Sequence, residues 1–309
     1  VSTMSEAATT GASAAGFTPR RTRWILERAC AEAGFEPTGA RLLRHHTNAV
    51  YLLASAPVVV KIDRPVGVRP PVDVVTLVRW LQAQDVPTVP LAGTAQPLRL
   101  GGCAVTFWRY LPQRRPIVAA DLAEPLALLH ALRTRPAQWL PNRHLADAFA
   151  HIAHSIEASP ILTPFDRRLL HDERLRLAAG AADIDYLLRP GLIHGDAHHR
   201  NILWDTTAAR AVLCDWESVA IGHPEWDLIT IEVHCRRFAH PPIEYEKFCR
   251  DYGFDIRDWP GYPWLRDLRE LRMITTNAYK SAPGSPSARE VLRRIQGLRE
   301  GIEARWHIL

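Results

Sequence analysis

The run His194-Gly195-Asp196-Ala197-His198-His199-Arg200-Asn201, followed by Asp215-Trp216-Glu217, holds the residues best suited to chemistry. Phosphoryl transfer from a metal-bound nucleotide needs a carboxylate beside the attacking hydroxyl, and an amide oxygen and a second carboxylate on the metal. Asp196, Asn201 and Asp215 supply those groups in that order. Gly191-Leu192-Ile193 leads into His194, and Ala211-Val212-Leu213-Cys214 leads into Asp215. Two short apolar runs thus bracket a polar loop, as a strand-loop-strand element would. A zinc site is the competing reading, because His194 and His198 stand four apart and His199 adjoins them. Zinc hydrolases carry such a pair on a helix. Gly195 and the preceding strand argue against a helix here.

An Asp with an Asn five positions later, then an Asp after the next strand, is the protein-kinase spacing. Gly195 in place of Arg, and Asp-Trp-Glu in place of Asp-Phe-Gly, depart from it. In these features the chain resembles the aminoglycoside phosphotransferase and choline kinase family, whose signatures are H-G-D-x-H-x-x-N and D-W-E. The likeness continues through Gly222-His223-Pro224-Glu225-Trp226-Asp227-Leu228 and reaches back to Val58-Val59-Val60-Lys61, covering residues from about 42 to 228.

The resemblance implies a bilobal, protein-kinase-like α+β fold, with a small β-rich lobe and a larger, mainly helical one. Residues 1–20 are expected to be a disordered tail, 21–111 the nucleotide lobe and hinge, and 112–309 the catalytic and acceptor lobe. It also implies ATP- and magnesium-dependent phosphorylation of a hydroxyl on a small molecule, with GTP left open as donor. An antibiotic is the first expectation for the acceptor. A primary metabolite such as choline, homoserine or a sugar is the alternative, and a catalytically silent nucleotide-binding module a third.

Roles follow position by position. Asp196 accepts or orients the hydroxyl proton, Asn201 and Asp215 hold magnesium, and Glu217 reaches the metal through water or caps its turn. His194 braces the loop, while His198 touches substrate or supports Asp196. Lys61 binds the α- and β-phosphates. Asp73 either pairs with Lys61 or caps the following helix. Thr47 and Asn48 stand where a phosphate-covering loop belongs, although the stretch from Arg44 has no glycine. Arg109-Tyr110-Leu111 resembles the hinge, which binds the adenine edge through its backbone.

Composition bounds the partners. At 309 residues the chain is long enough for two lobes with sizeable cores. No uninterrupted apolar run reaches the ~20 residues of a membrane span, so a soluble protein without a membrane partner is expected. Five widely spread cysteines with no Cys-x-x-Cys pair fit a reducing cytoplasm. The net charge of +5 is mixed along the chain. No basic stripe with interleaved aromatics marks a nucleic-acid partner. Monomer and homodimer both stay open.

The elements that must position these groups are legible in outline. A helix is expected from about Thr22 to Ala33, and a hairpin from Ala49–Leu53 and Val58–Ile62. A helix over Val72–Gln84 and a strand over Ala104–Trp108 follow. In the second half, helices are expected over Asp121–Arg133, Arg174–Ala182, Glu225–Arg237, Ile243–Tyr252, Pro263–Lys280 and Ala288–Arg305. The chain from Ile231 onward carries 14 Lys and Arg against 11 Asp and Glu, so nothing advertises a polycationic acceptor. Trp259, Tyr262 and Trp264 either stack on a substrate ring or anchor loops.

Overall fold

A computed structural model describes residues 16–64, 73–93 and 96–309. The fold is α+β. The chain divides into two units, one of Val1–Arg79 with Val89–Pro112, the other of Trp80–Thr88 with Gln113–Leu309. Most of the expected tail lies outside the described residues.

The first unit opens with α1 (Pro19–Ala33). It begins three residues before the expected Thr22, because Thr18 Oγ accepts the Arg21 amide and Pro19 suits a first helical turn. Gly34, at φ 77°, ends the helix. Thr22 is buried and shares a 2.8 Å hydrogen bond with the Tyr51 hydroxyl. Then come β1 (Arg41–His45), β2 (Asn48–Leu52) and β3 (Val58–Asp63). α2 (Val74–Ala83), whose residues from Trp80 are counted with the second unit, β4 (Leu98–Leu100) and β5 (Cys103–Arg109) follow. The strands form one antiparallel sheet in the order β1-β2-β3-β5-β4. The two edge strands were not anticipated. β1 is almost wholly exposed and β4 has only three residues, so neither shows a buried alternation.

Period-two geometry sets what β3 presents. Val58, Val60 and Ile62 enter the core with Ile25, Leu26 and Phe107, while Val59, Lys61 and Asp63 share the other face. Lys61 sits on a central strand between Val50 and Thr106 and is only 15% exposed, so it is no strand-edge lysine.

The second unit contains α3 (Ala123–Ala131), α4 (Leu145–Glu157) and α5 (Pro164–Ala179), then β6 (Gly191–Ile193), β7 (Ile202–Asp205), β8 (Arg210–Leu213) and β9 (Ala220–Gly222). It ends with α6 (Glu225–Arg237), α7 (Pro242–Tyr252), α8 (Tyr262–Lys280) and α9 (Pro286–Glu300). α4 was not anticipated, nor was the first half of α5. A Thr163–Asp166 capping box starts α5 well before Arg174. α9 stops at Glu300 rather than Arg305 because Gly301 adopts φ 64°. Beyond it the chain folds back, and the Trp306 amide donates to the Arg237 carbonyl at 2.6 Å. α8 packs against α4, α5, α6 and α9 and organises this unit.

Asp73 stands just ahead of α2, where Oδ1 accepts the Val75 and Thr76 amides, each at 3.1 Å. Its pKa is lowered because these bonds, with Thr76, outweigh a burial that alone would raise it. Asp73→Ala should destabilise the protein by about 1 kcal/mol in urea unfolding, whereas Asp73→Asn, which still caps, should cost only a few tenths. Because Asn carries no charge, loss of nucleotide affinity in Asp73→Asn would reveal an ion pair with Lys61; unchanged affinity would leave Asp73 a cap alone.

Candidate active site

Two antiparallel pairs, β6 with β9 and β7 with β8, hold the polar loop. The loop 194–201 runs from β6 to β7, and 214–219 runs from β8 to β9. The register Ile202↔Leu213 places Asn201 and Asp215 at the same end of one hairpin, and the Cys214 amide donates to the Asn201 carbonyl at 2.9 Å.

Asp227, in the first turn of α6 and fully buried, ties this loop down. Its Oδ2 accepts the His194 amide at 2.7 Å and Oδ1 the Gly195 amide at 2.8 Å. His130 Nε2 lies 3.1 Å from Oδ2, and Nδ1 of the same ring meets the Tyr252 hydroxyl at 2.8 Å. Burial alone would raise the Asp227 pKa, but His130 and these amides together lower it. His130 is thus a packed histidine with a structural partner, not a ligand. Trp226 adds a second tie through Nε1 to the Gly195 carbonyl.

Gly195 explains the departure from the protein-kinase motif. Its φ is +81°, and a Cβ there would lie 2.0 Å from the Ser218 carbonyl oxygen and 2.6 Å from Arg143 Nη2. No side chain fits between the two loops. His194 braces the same junction: Nε2 lies 2.9 Å from the Cys214 carbonyl and Nδ1 3.4 Å from the Asp196 amide.

Asp196 is held at both oxygens. Oδ1 accepts from Arg269 Nη2 at 3.0 Å, and Oδ2 lies 3.4 Å from His198 Nε2. His198 Nδ1 accepts the Arg200 amide at 3.1 Å, so Nε2 carries the ring proton and points it at Asp196. Burial would raise the Asp196 pKa, yet the His198 hydrogen bond and the Arg269 charge push it well below the usual carboxylate range. With its side chain 38% exposed, this ionised carboxylate remains reachable.

Asn201 Nδ2 donates to the Asp196 carbonyl at 2.9 Å, with Asp196 Oδ2 at 3.4 Å. These bonds turn the amide so that Oδ1, which accepts no hydrogen bond among the described residues, is available to a cation. Asp215 adopts the left-handed region at φ 64°, ψ 60°, which Asp tolerates better than most residues. An amide oxygen and a carboxylate at one hairpin end are hard donors of the kind magnesium takes. Glu217 is exposed within the short 3-10 turn Trp216–Ser218.

Residues 39–268 match the model of the phosphotransferase enzyme family. The chain belongs to that family. Solved structures share its fold. The amicoumacin kinase hAmiN, in complex with AMP-PNP, Ca2+ and Ami, gives a TM-score of 0.71 at 12% identity over 93% of this chain and 97% of that one. The microcompartment-associated aminopropanol kinase gives 0.68 at 17% identity over 89% and 94%. Choline kinase LicA from Streptococcus pneumoniae gives 0.66 at 14% identity over 91% and 99%. No curated protein matches at the level of sequence. Among the described residues no helix is long and apolar enough to cross a membrane.

In the first unit of this phosphotransferase, Lys61 Nζ lies 3.8 Å from Asp63 Oδ1. Thr47 is exposed in the β1–β2 turn, and buried Asn48 accepts from Arg44 Nη2 at 3.0 Å. The Arg109 and Tyr110 amides donate to the Pro90 and Pro57 carbonyls, each at 2.8 Å, so the local backbone already takes up both. Leu111 is nearly buried.

Several groups in the second unit escaped sequence reading. Arg269 and Arg272 come from α8, and Arg143 from a segment that bridges to β9 through Asn142 and Ile221. Four imidazoles also form a ladder, His198 on His234 at 4.8 Å, His234 on His199 at 6.4 Å and His199 on His240 at 4.1 Å. Burial, then the neighbouring imidazoles, pushes His199 down to about 4. Burial, with His198 and Arg269, also lowers His234. Atoms of His199, His240 and Glu244 lie within 4.8 Å of one another. His194 and His198 instead face Cys214 and Asp196, so they do not form the histidine pair of a zinc hydrolase. Trp259, Tyr262 and Trp264 are anchors, bonded to the Asp185 carbonyl, Glu232 and the Leu177 carbonyl.

Asp227→Ala would leave two amides and His130 unmatched in the interior. It should lower the unfolding free energy by roughly 3–5 kcal/mol. Because the folded-state pKa is depressed, the contribution is present above the ordinary Asp range and is lost as pH falls below it. Urea unfolding of both proteins at neutral and acid pH should show the difference shrinking with acidity. Gly195→Ala should fail to give a cooperative unfolding transition, since the obstacle is backbone.

Proposed function

We propose that this phosphotransferase transfers the γ-phosphoryl group of ATP, with magnesium, to a hydroxyl of a small molecule. The single observation that supports the reading is that Asn201, bonded to Asp196, stands with Asp215 at the same end of the β7–β8 pair. The reaction follows from that arrangement. The acceptor oxygen attacks the γ-phosphorus as the bond to the β,γ-bridging oxygen breaks, ADP departs with that electron pair, and the hydroxyl proton passes to Asp196 and on to solvent. Asp196 orients the hydroxyl through an ionised oxygen, and its low basicity suits late proton loss in a loose transition state. Asn201 and Asp215 would hold the magnesium, with Glu217 as an outer contact. A metal ion held there supplies charge neutralisation on the phosphoryl oxygens.

In this reading Lys61 binds the nucleotide's α- and β-phosphates, Asp73 is its candidate partner, and the chain acts in the cytoplasm. An antibiotic or another hydroxylated small molecule is the acceptor. Support for a small-molecule acceptor comes from the family and from the fold shared with kinases of amicoumacin, aminopropanol and choline.

ADP formation measured over a panel of antibiotics, amino alcohols and sugars tests this. Absence of any acceptor-dependent turnover, with no nucleotide binding, would refute it. Asp196→Asn should lower kcat by roughly 10²- to 10⁴-fold while AMP-PNP binding stays intact; an unaltered kcat would remove Asp196 from the chemistry. Arg269→Met should raise the Asp196 pKa, because a cation that favours the ionised form is gone. The acid limb of kcat/KM should therefore move upward toward the ordinary carboxylate range, which a pH-rate profile reads directly.

A further inference from the structure

More positive charge gathers beside Asp196 than that carboxylate balances. Arg269 is 5% exposed; one arm reaches Asp196, and its Nε is buried with no hydrogen-bond partner among the described residues. Arg272, one turn along α8, lies 5.6 Å from the Trp226 ring centroid. Its side chain makes no hydrogen bond or ion pair among the described residues. Arg143 lies 5.2 Å from the same ring, with Nη2 on the Ser218 carbonyl and Nε buried and unpartnered among those residues. Trp226 is itself bonded to the Gly195 carbonyl, so both guanidiniums are fixed around one indole next to the catalytic residue.

The acids at hand do not match this set. Asp227 acts on Arg143 but is committed to His130 and two amides, and Asp147 also acts on Arg143. Asp196 is left as the carboxylate that acts on all three. Burial and then Arg269 and Arg143 push Arg272 down to about 10, and burial with Arg272 lowers His151 on α4. Arg272 is half-buried, and a partly desolvated guanidinium without an anionic partner is costly. Its planar fork fits a carboxylate or phosphate. The position also separates this charge from the proposed metal: Asp196 turns Oδ2 toward Asn201 and Oδ1 toward Arg269.

We infer that the acceptor carries an anionic group, carboxylate or phosphate, near the hydroxyl that is phosphorylated, and that Arg143, Arg269 and Arg272 bind it. This rests on the phosphotransfer reading above. A polycationic acceptor would meet like charge at the point of transfer, whereas an anion completes the arginines and leaves Asp196 to the hydroxyl.

Four acceptors with one carbon skeleton test the inference: glycerate, glycerol 3-phosphate, glycerol and 3-aminopropane-1,2-diol. Calorimetric titration into the AMP-PNP-loaded protein gives affinity, and ADP formation gives turnover. Glycerate or glycerol 3-phosphate should bind roughly 10- to 100-fold more tightly than the neutral and cationic analogues, and the stronger of the two identifies the group as carboxylate or phosphate. Arg272→Gln should erase that preference, and Arg272→Lys should restore part of it, with AMP-PNP affinity unchanged in both. Equal behaviour of all four, or preference for the amine, overturns the inference. Loss of AMP-PNP affinity in Arg272→Gln also overturns it, by giving the arginine to the nucleotide. Failure of the phosphotransfer reading looks different: AMP-PNP does not bind and no acceptor yields ADP.

Discussion

The catalytic region depends on one buried carboxylate. Asp227 receives two consecutive backbone amides of the catalytic loop and a histidine, all within 3.1 Å. A carboxylate in the interior is costly unless its lone pairs are matched. Here the matching groups lie in the loop that carries Asp196, so the interactions that make Asp227 tolerable also fix that loop's backbone. Gly195 makes the arrangement possible, since only a residue without Cβ lets the two loops meet. A second carboxylate, Asp196, is left partly exposed, and its charge is set by Arg269 and His198. One acid holds the loop and the other is left open within it.

How much of this was legible in the sequence depends on the range of the interaction. Asp196, Asn201 and Asp215 are read together because they sit on adjacent strand-loop elements at fixed spacing, and hairpin register is a local property. α6 was read with its observed ends because Glu225 and Asp227 mark its first turn and basic residues its last. Asp227 is legible as part of the Gly222–Leu228 likeness, but its backbone partners lie 33 and 32 positions away. The anchoring role of the aromatics at 259–264 was left open, because a buried indole and a stacking indole have the same sequence.

Other features are invisible for physical reasons. β1 has no buried face and β4 is too short to show alternation. α4 differs from these strands, since its five buried residues stand at helical spacing. The guanidiniums of Arg143, Arg269 and Arg272 come together only when α8 packs beside α6 and the segment before α4 joins β9. In a chain where arginine supplies nearly all the positive charge, nothing local distinguishes those three from arginines on the surface. The histidine ladder is similar: His198 and His199 are conspicuous, but His234 and His240 reach them through the fold.

The return of the chain after Gly301 bears on the order in which the second unit is assembled. Arg237, at the end of α6, donates to the Ala304 carbonyl 67 positions away, and Trp306 packs against Arg237 and Arg294. Arg237 and Arg294 are synthesised before the residues they hold, so the clasp becomes possible only after the helices it joins have been made. During synthesis α6 and α8 can dock, and the hairpins can form, before residues 302–306 leave the ribosome. The clasp then closes over helices already in place. On that order, the groups around Asp196, of which Arg272 is the last in sequence, can meet before the clasp closes.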